Sequence, residues 1–505
     1  MNKFSYSNEK TRLNLPSFNN AIKKICDIMR RSNCAGALQY IPEITWILFL
    51  RILDEIENLE GEKDRYSISS PYRWQDWGSP WGSKRIQLQM SSPGVVLKFV
   101  NDELIPYLKN LKYSANATGR QKVISQIMSG VDGVKIDTEK NLLAVLDLVE
   151  EISQAKVDTT HVFPISQIYE GLLLKMGEKS GDGGQFFTPR EIVRAMVRVV
   201  EPQGGETVYD PCCGTGGFLA QSYEFIVENC GSTFTPEQVK FLKYRTFYGR
   251  EKENLIYPIA LANMVLHGID EPHLWHGNTL AGRTIYDGLF QGVSDRFDVI
   301  LSNPPFGGKE SKEVQNNFEF KTTSTQVLFV QHIIDCLKPG GRCGVVLDEG
   351  FLFRTNEAAF FQTKQKLLTE CNVWCIVSLP EGVFVNAGTQ LKTNILFFSK
   401  GTPTEKIWYY DLSKLKVNKT HPLTLDKFDE FFALLPSRGD SENSWTVSRK
   451  EIEEKGYDLK AVNPNAFIKK NSRSRAELLN LIAEKNREVE ATLVVFKNYW
   501  KITGC

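Results

Sequence analysis

Up to about residue 160, apolar positions recur at three- and four-residue intervals. "NNAIKKICDIMRRS", "IPEITWILFLRILDEIENLEG" and "EKNLLAVLDLVEEIS" all show this spacing, which predicts helices. Between them, "SSPYRWQDWGSPWGS" is rich in Pro, Gly and Ser and reads as a loop. Its Trp74, Trp77 and Trp81 either pack against the helices or form a base-stacking surface. From about residue 205 the texture changes to short apolar runs. "ETVYDP", "RTFYGRE", "PHLWHGN", "FDVILSN", "GRCGVVLDE", "WCIVSLP" and "TNILFFSK" read as seven strands. Helical stretches such as "NLIYPIALANMVLHG" and "STQVLFVQHIIDCLKPGG" separate them. This alternation predicts an α/β fold with a mostly parallel sheet covered on both faces. After residue 400 the pattern loosens. "SRAELLNLIAEKNREVEATLVVF" then restores a helix with Leu478, Ile482, Val489, Leu493 and Phe496 along one stripe. That stripe either packs on its own domain or docks another subunit.

A chain of 505 residues is too long for one ordinary core. The expected division is a helical N-terminal domain over 1–160, an α/β domain over 161–420 and a C-terminal extension over 421–505. The N-terminal stretch lacks the apolar core of a secretory signal, and "ITWILFLRIL" is broken by Arg51 and too short to span a bilayer. A cytoplasmic protein is therefore expected. The ten cysteines are spread along the chain without CxxC spacing, so reduced thiols are expected. "HLWH" has a ligand-like interval but no partner motif, and no metal site is expected. A net charge of +1 neither advertises nor excludes nucleic acid, because a local basic groove or a partner can supply phosphate contacts.

In an open α/β sheet, ligands sit at the carboxyl ends of the strands, and the unusual residues fall there. "VYDPCCGTGGFL" ends the first strand with Asp210, followed by Gly214, Thr215, Gly216 and Gly217 before a helix. Glycines let the backbone turn tightly and approach a ligand. No Gly-Lys-Ser/Thr follows, so this is not a P-loop, and the spacing is not GxGxxG. Asp210 is instead placed to accept hydrogen bonds from a cation. Glu251, at the end of "FYGREKE", is placed to accept the hydroxyls of a ribose. Asn278, in "HGNTL", has an amide suited to a nucleobase edge. Together they describe a nucleoside with an amino-acid-like end and no phosphate, S-adenosylmethionine. Thr188-Pro189, before "REIVRAMVRVV", reads as a helix N-terminus able to receive a carboxylate or as a simple cap. The fourth strand stops at "SNPPF", where Pro304 and Pro305 cannot continue a central strand.

The set "GQFFTPREIV", "DPCCGTGGFL", "GREKE", "GNTL", "SNPPFGG" and "LPEGVFVNAGTQLKTNILFF" resembles the gamma-type N6-adenine DNA methyltransferases. More closely, the chain is similar to the methylation (modification) subunit of type I restriction-modification systems. The likeness extends to "FLRILDEIE" in the helical part and to "GYDLKAVNPN" near the end. It implies a Rossmann-like S-adenosylmethionine-dependent methyltransferase domain, with Gln185, Phe186, Phe187, Thr188, Pro189 and Arg190 covering the methionine end of the cofactor. The family usually carries Ala where this chain has Cys212, and commonly Asp where it has Asn278.

The resemblance makes Asn303, Pro304, Pro305 and Phe306 the catalytic group. An exocyclic adenine amine is a poor nucleophile because its lone pair is delocalised into the ring. The Asn303 side-chain carbonyl and the Pro304 backbone carbonyl, held by the rigid Pro-Pro unit, are acceptors for its two hydrogens. Phe306 would stack on an adenine flipped from the duplex. The following "GGKESKEVQNNFEFKTTSTQ" is either a lid or a solvated loop. The resemblance further implies double-stranded DNA and a separate DNA-specificity subunit as partners, with two methylation subunits per specificity subunit. A restriction subunit is a further implied partner. Alternatives weighed are methylation of another planar amine (cytosine, an RNA base or a protein glutamine) and a catalytically inactive assembly module.

Overall fold

The structure, a computed structural model, describes residues 15–60 and 66–151 apart from 33, 35 and 36, then 188–282, 294–385, 391–418 and 421–465, and most positions from 479 to 492. Five strands follow one another with intervening helices: β1 (Val208–Asp210), β2 (Phe247–Glu251), β3 (His273–His276), β4 (Phe297–Ser302) and β5 (Leu337–Asp348). They are joined by β6 (Cys371–Ser378), β7 (Thr393–Lys400), β8 (Lys406–Asp411) and β9 (Ser444–Ser448). All nine belong to one sheet in the order β3-β2-β1-β4-β5-β7-β6-β8-β9. Strands β1 to β5 pair in parallel, β7 runs antiparallel between β5 and β6, and β9 closes the far edge antiparallel to β8.

The seven expected strands are all present, but among the described residues the count is nine. The two unanticipated strands are "KIWYYD" and "SWTVS". Strand β8 lies between β6 and β9 with Ile407, Trp408, Tyr409 and Tyr410 all buried, so it shows no in-out alternation to read. Strand β9 is a short edge strand rich in hydroxyl side chains, which leaves little apolar signal.

Both faces of the sheet are covered. Helices α5 (Arg190–Val200), α6 (Gly217–Cys230) and α7 (Tyr257–Leu266) share one layer with Val299 and Leu301 of β4. Helices α8 (Thr325–Cys336) and α9 (Ala358–Glu370) share the other with Ile300. The alternate residues of a single strand thus feed two cores, as the period of two requires.

The helical part comprises α1 (Leu15–Arg31), α2 (Ala37–Glu60), α3 (Gly119–Met128) and α4 (Glu139–Glu150), with shorter helices between. A reciprocal capping box of Thr118 and Gln121 starts α3. The apolar cluster of these helices is continuous with the layer holding α5, α6 and α7. Arg120 joins the two parts: its Nε donates to Asp270 Oδ1 at 2.8 Å, and its Nη1 to Glu57 Oε1 of α2 at 3.3 Å. Trp74 and Trp77 are buried, with Trp77 stacked near Trp46 at 6.4 Å, so these two pack into the helices. Trp81 is 85% exposed and takes no part in that core.

Among the described residues, no helix is long and apolar enough to cross a membrane. Among the described residues, Cys371 and Cys375 are free thiols buried in β6. His273 and His276 of β3 face the backbone carbonyls of Tyr244 and Lys252. Helical positions recur between 479 and 492, where Leu479, Ile482 and Val489 are exposed. Leu478, Leu493 and Phe496 lie outside the described residues.

Candidate active site

From β1 the chain winds outward to β2 and β3, then returns to place β4 on the other side of β1. Connections therefore diverge above the carboxyl ends of β1 and β4, leaving a crevice there. A cavity of about 490 Å³ occupies it. Its wall includes Thr188 and Arg190 at the start of α5, Asp210 at the end of β1, Gly214, Thr215 and Gly217 of the glycine turn, and Glu251 at the end of β2. Asn278, Asn303, Pro304, Pro305 and Phe306 complete the expected set on that wall. Pro189 caps α5 and Gly216 caps α6, each shaping the site without lining it. Gln185, Phe186 and Phe187 lie outside the described residues.

The glycine turn is built by close packing. Gly216 has a φ of +82°, a left-handed conformation that a side chain would strain. In β2, a Cβ on Gly249 would stand 3.1 Å from Cys213 Sγ, so the bare backbone there lets the turn settle onto the sheet.

Two buried carboxyls meet the cavity. Asp210 Oδ1 accepts from Ser302 Oγ at 2.7 Å and from Cys212 N at 3.1 Å. Cys212 Sγ lies 3.0 Å from the same Ser302 Oγ. Glu251 accepts from Gly214 N at 2.9 Å and from Glu253 N at 2.8 Å. Burial pushes both carboxyls up to about 7 against the pull of these hydrogen bonds. The site thus gains from a ligand that brings positive charge or hydroxyl donors. Two acids at the glycine turn oppose a phosphate.

At the end of β4, Asn303 is fixed by its amide nitrogen, which donates to Thr188 Oγ1 at 3.1 Å. Its Oδ1 is buried and has no hydrogen-bond partner. An orphaned acceptor of this kind costs free energy unless a ligand or water satisfies it. Pro304 is buried beside it, and Phe306 meets Phe384 edge-on at 5.6 Å. Asn278 is engaged twice: Oδ1 accepts from Leu280 N at 3.0 Å, and Nδ2 donates to Glu310 Oε2 at 3.2 Å.

Sequence reasoning missed Glu310, Thr325, Phe329 and Phe384, all on the cavity wall. Phe384 belongs to "LPEGVF", which carried the resemblance without being given a role. Glu310 and Thr325 lie within the polar segment read as a lid or loop, near its two ends. That segment is folded back on itself: Lys309 and Ser324 form an antiparallel bridge, Glu310 N donates to Thr323 O at 2.9 Å, and Phe320 exchanges two bonds with Gln331.

The doubly wound sheet, acidic strand ends and Asn-Pro-Pro-Phe at the switch point define a Rossmann-like methyltransferase. The chain belongs to the N-6 DNA methylase family, which it matches over residues 160–473, while residues 18–149 match the HsdM N-terminal domain. It is 36% identical over 474 residues to the type I restriction enzyme EcoEI methylase subunit of Escherichia coli, covering 89% of this chain and 90% of that one. It is 28% identical to the EcoKI methylase subunit of Escherichia coli strain K12, over 85% of this chain and 79% of that one. A solved chain from a study of assembly and conformational transition in the type I restriction-modification system superposes with a TM-score of 0.71 at 36% identity, covering 96% of this chain and 98% of that one. The chain is accordingly a DNA N6-adenine methyltransferase of the type I methylase-subunit kind.

Proposed function

We propose that the cavity holds S-adenosylmethionine and that Asn303 and Pro304 receive the amine of a flipped adenine beside it. The buried, unpartnered Oδ1 of Asn303 carries this reading: an acceptor held in place by Thr188 and left open for a donor. The residues present fit the cofactor. Asp210 suits its ammonium group, Glu251 its ribose hydroxyls and Asn278 its base, while Arg190 at the start of α5 suits its carboxylate. Bound there, S-adenosylmethionine supplies a methyl group already activated by its sulfonium. Asn303 Oδ1 and the Pro304 carbonyl accept the two amine hydrogens, which favours a pyramidal nitrogen with its lone pair turned outward. Phe306, braced by Phe384, stacks on the base and offsets an unpairing cost of roughly a few kcal/mol. Positioning and electrostatics carry the reaction, and no strong general base is required.

The domains divide this work. The helical region 1–160 clamps double-stranded DNA, the region 161–420 carries the chemistry, and the extension 421–505 docks a DNA-specificity subunit through its helix. Two such chains serve one specificity subunit, and a restriction subunit joins them in the nuclease form. The likeness to type I methylase subunits along most of the chain supports this assembly. Transfer of labelled methyl from S-adenosylmethionine to DNA, with and without the specificity subunit, tests the reading. Label in N6-methyladenine that depends on the partner is expected; label in protein, RNA or cytosine would overturn it.

A further inference from the structure

Asn278 meets a nucleobase amine with a partly used acceptor. One of the two lone pairs of its carbonyl oxygen is taken by Leu280 N, and its amide nitrogen is a donor only. An adenine ring presents at its outer edge an amine that needs an acceptor, next to a ring nitrogen that needs a donor. A stronger, charged acceptor stands beside Asn278: Glu310 Oε2 lies 3.2 Å from Asn278 Nδ2, and both residues line the same cavity. The amide nitrogen carries two hydrogens, so it can hold Glu310 with one and serve a ring nitrogen with the other.

Glu310 is well anchored for such a role. Its backbone nitrogen donates to Thr323 O at 2.9 Å, and its carbonyl accepts from Gln315 Nε2 at 2.9 Å. Its second carboxylate oxygen faces Thr325 Oγ1 at 3.5 Å. The polar segment after "SNPPF" therefore does more than cover the crevice, since it carries a carboxylate into it.

Resting on the reading of the cavity as the S-adenosylmethionine site, we propose that Glu310 is the acceptor for the adenine amine of the cofactor, with Asn278 as the adjacent donor. The pair would then select an adenine ring over hypoxanthine, which presents an oxygen in place of the amine and a hydrogen on the ring nitrogen. That exchange sets carboxylate against oxygen and amide donor against N–H.

The test is calorimetric titration of the full-length chain with S-adenosylhomocysteine and with S-inosylhomocysteine. The wild type is expected to prefer the adenosyl ligand by about 100-fold, as for a hydrogen bond to a charged group. Glu310→Gln is expected to cut that preference by about 10-fold or more, because its amide can donate to the inosyl oxygen. Glu310→Ala is expected to weaken the adenosyl ligand by about 10-fold without improving the inosyl one. An undiminished preference in Glu310→Gln would overturn the proposal while leaving the cofactor site intact. Binding of neither ligand by the wild type would overturn the reading of the cavity, and this proposal with it.

Discussion

Ser302 Oγ donates to Asp210 Oδ1 across 2.7 Å, tying the end of β4 to the end of β1. The next residue along β4 is Asn303, and the next turn after β1 is the glycine loop. This hydrogen bond extends the parallel pairing of β1 and β4 to the two halves of the site, and it does so on a carboxyl that burial pushes up to about 7.

That carboxyl makes the cofactor-free chain sensitive to pH. Asp210 and Glu251 both rise to about 7 from ordinary carboxylate values of 3.8 and 4.5. The folded state then binds more protons than the unfolded state in the window between. Their contribution to stability is present in full below about 4 and is lost as pH rises through about 7. Denaturant unfolding should show Asp210→Asn gaining on the wild type by roughly 2 kcal/mol between pH 5 and pH 8, a figure discounted because the cavity is open to water. Cofactor affinity of the wild type should rise over pH 6 to 8, because a cation and hydroxyl donors favour the ionised acids.

Phe306 should matter most when the base must be pulled from a paired duplex. Phe306→Ala is expected to lower kcat/KM on duplex DNA by about 10- to 100-fold, the worth of one base–aromatic stack. The loss should be smaller on DNA whose target adenine is mismatched, since less unpairing remains to be offset. Steady-state methylation of the two substrates makes the comparison, and equal losses would mean that stacking does not assist extrusion.

The tryptophans of the helical domain should separate cleanly. Trp77 is fully buried against Trp46 and Trp74, so Trp77→Ala should cost about 3–5 kcal/mol in denaturant unfolding. Trp81→Ala removes an exposed ring and should stay within about 0.5 kcal/mol of the wild type. Any effect of Trp81→Ala on DNA affinity would then be a surface effect rather than a folding one.

Leu479, Ile482 and Val489, at helical positions, carry exposed apolar side chains. Removing the residues after 470 should abolish copurification with the DNA-specificity subunit while leaving the cofactor affinity of the α/β domain unchanged. Copurification that survives the deletion would place docking elsewhere.

Much of this fold was legible because its signals are local. The alternation from residue 205 onward gave the parallel sheet, and the odd residues at strand ends gave Asp210, Glu251 and Asn303, which the sheet brings to one cavity. Strands β8 and β9 were not legible: one has four consecutive buried residues with no alternation and the other is a short edge rich in hydroxyl side chains. Glu310 and Phe384 stayed hidden for a different reason. Glu310 lies just past Phe306 in a polar loop and Phe384 far along the chain in a strand-end turn, and nothing in either marks which side chain will point inward. Asn278 shows the limit most clearly. Its place at the end of β3 was readable, but the occupation of its amide by a residue 32 positions away was not.

The central claim is that Asn303 holds the adenine amine, and single-turnover methyl transfer at saturating cofactor and DNA tests it most directly. In the assembled complex, Asn303→Ala should bind S-adenosylmethionine as the wild type does and transfer methyl at least about 100-fold more slowly, the usual effect of deleting one transition-state hydrogen-bond partner. Wild-type transfer by Asn303→Ala would contradict the assignment and leave the orphaned oxygen at the end of β4 without a role.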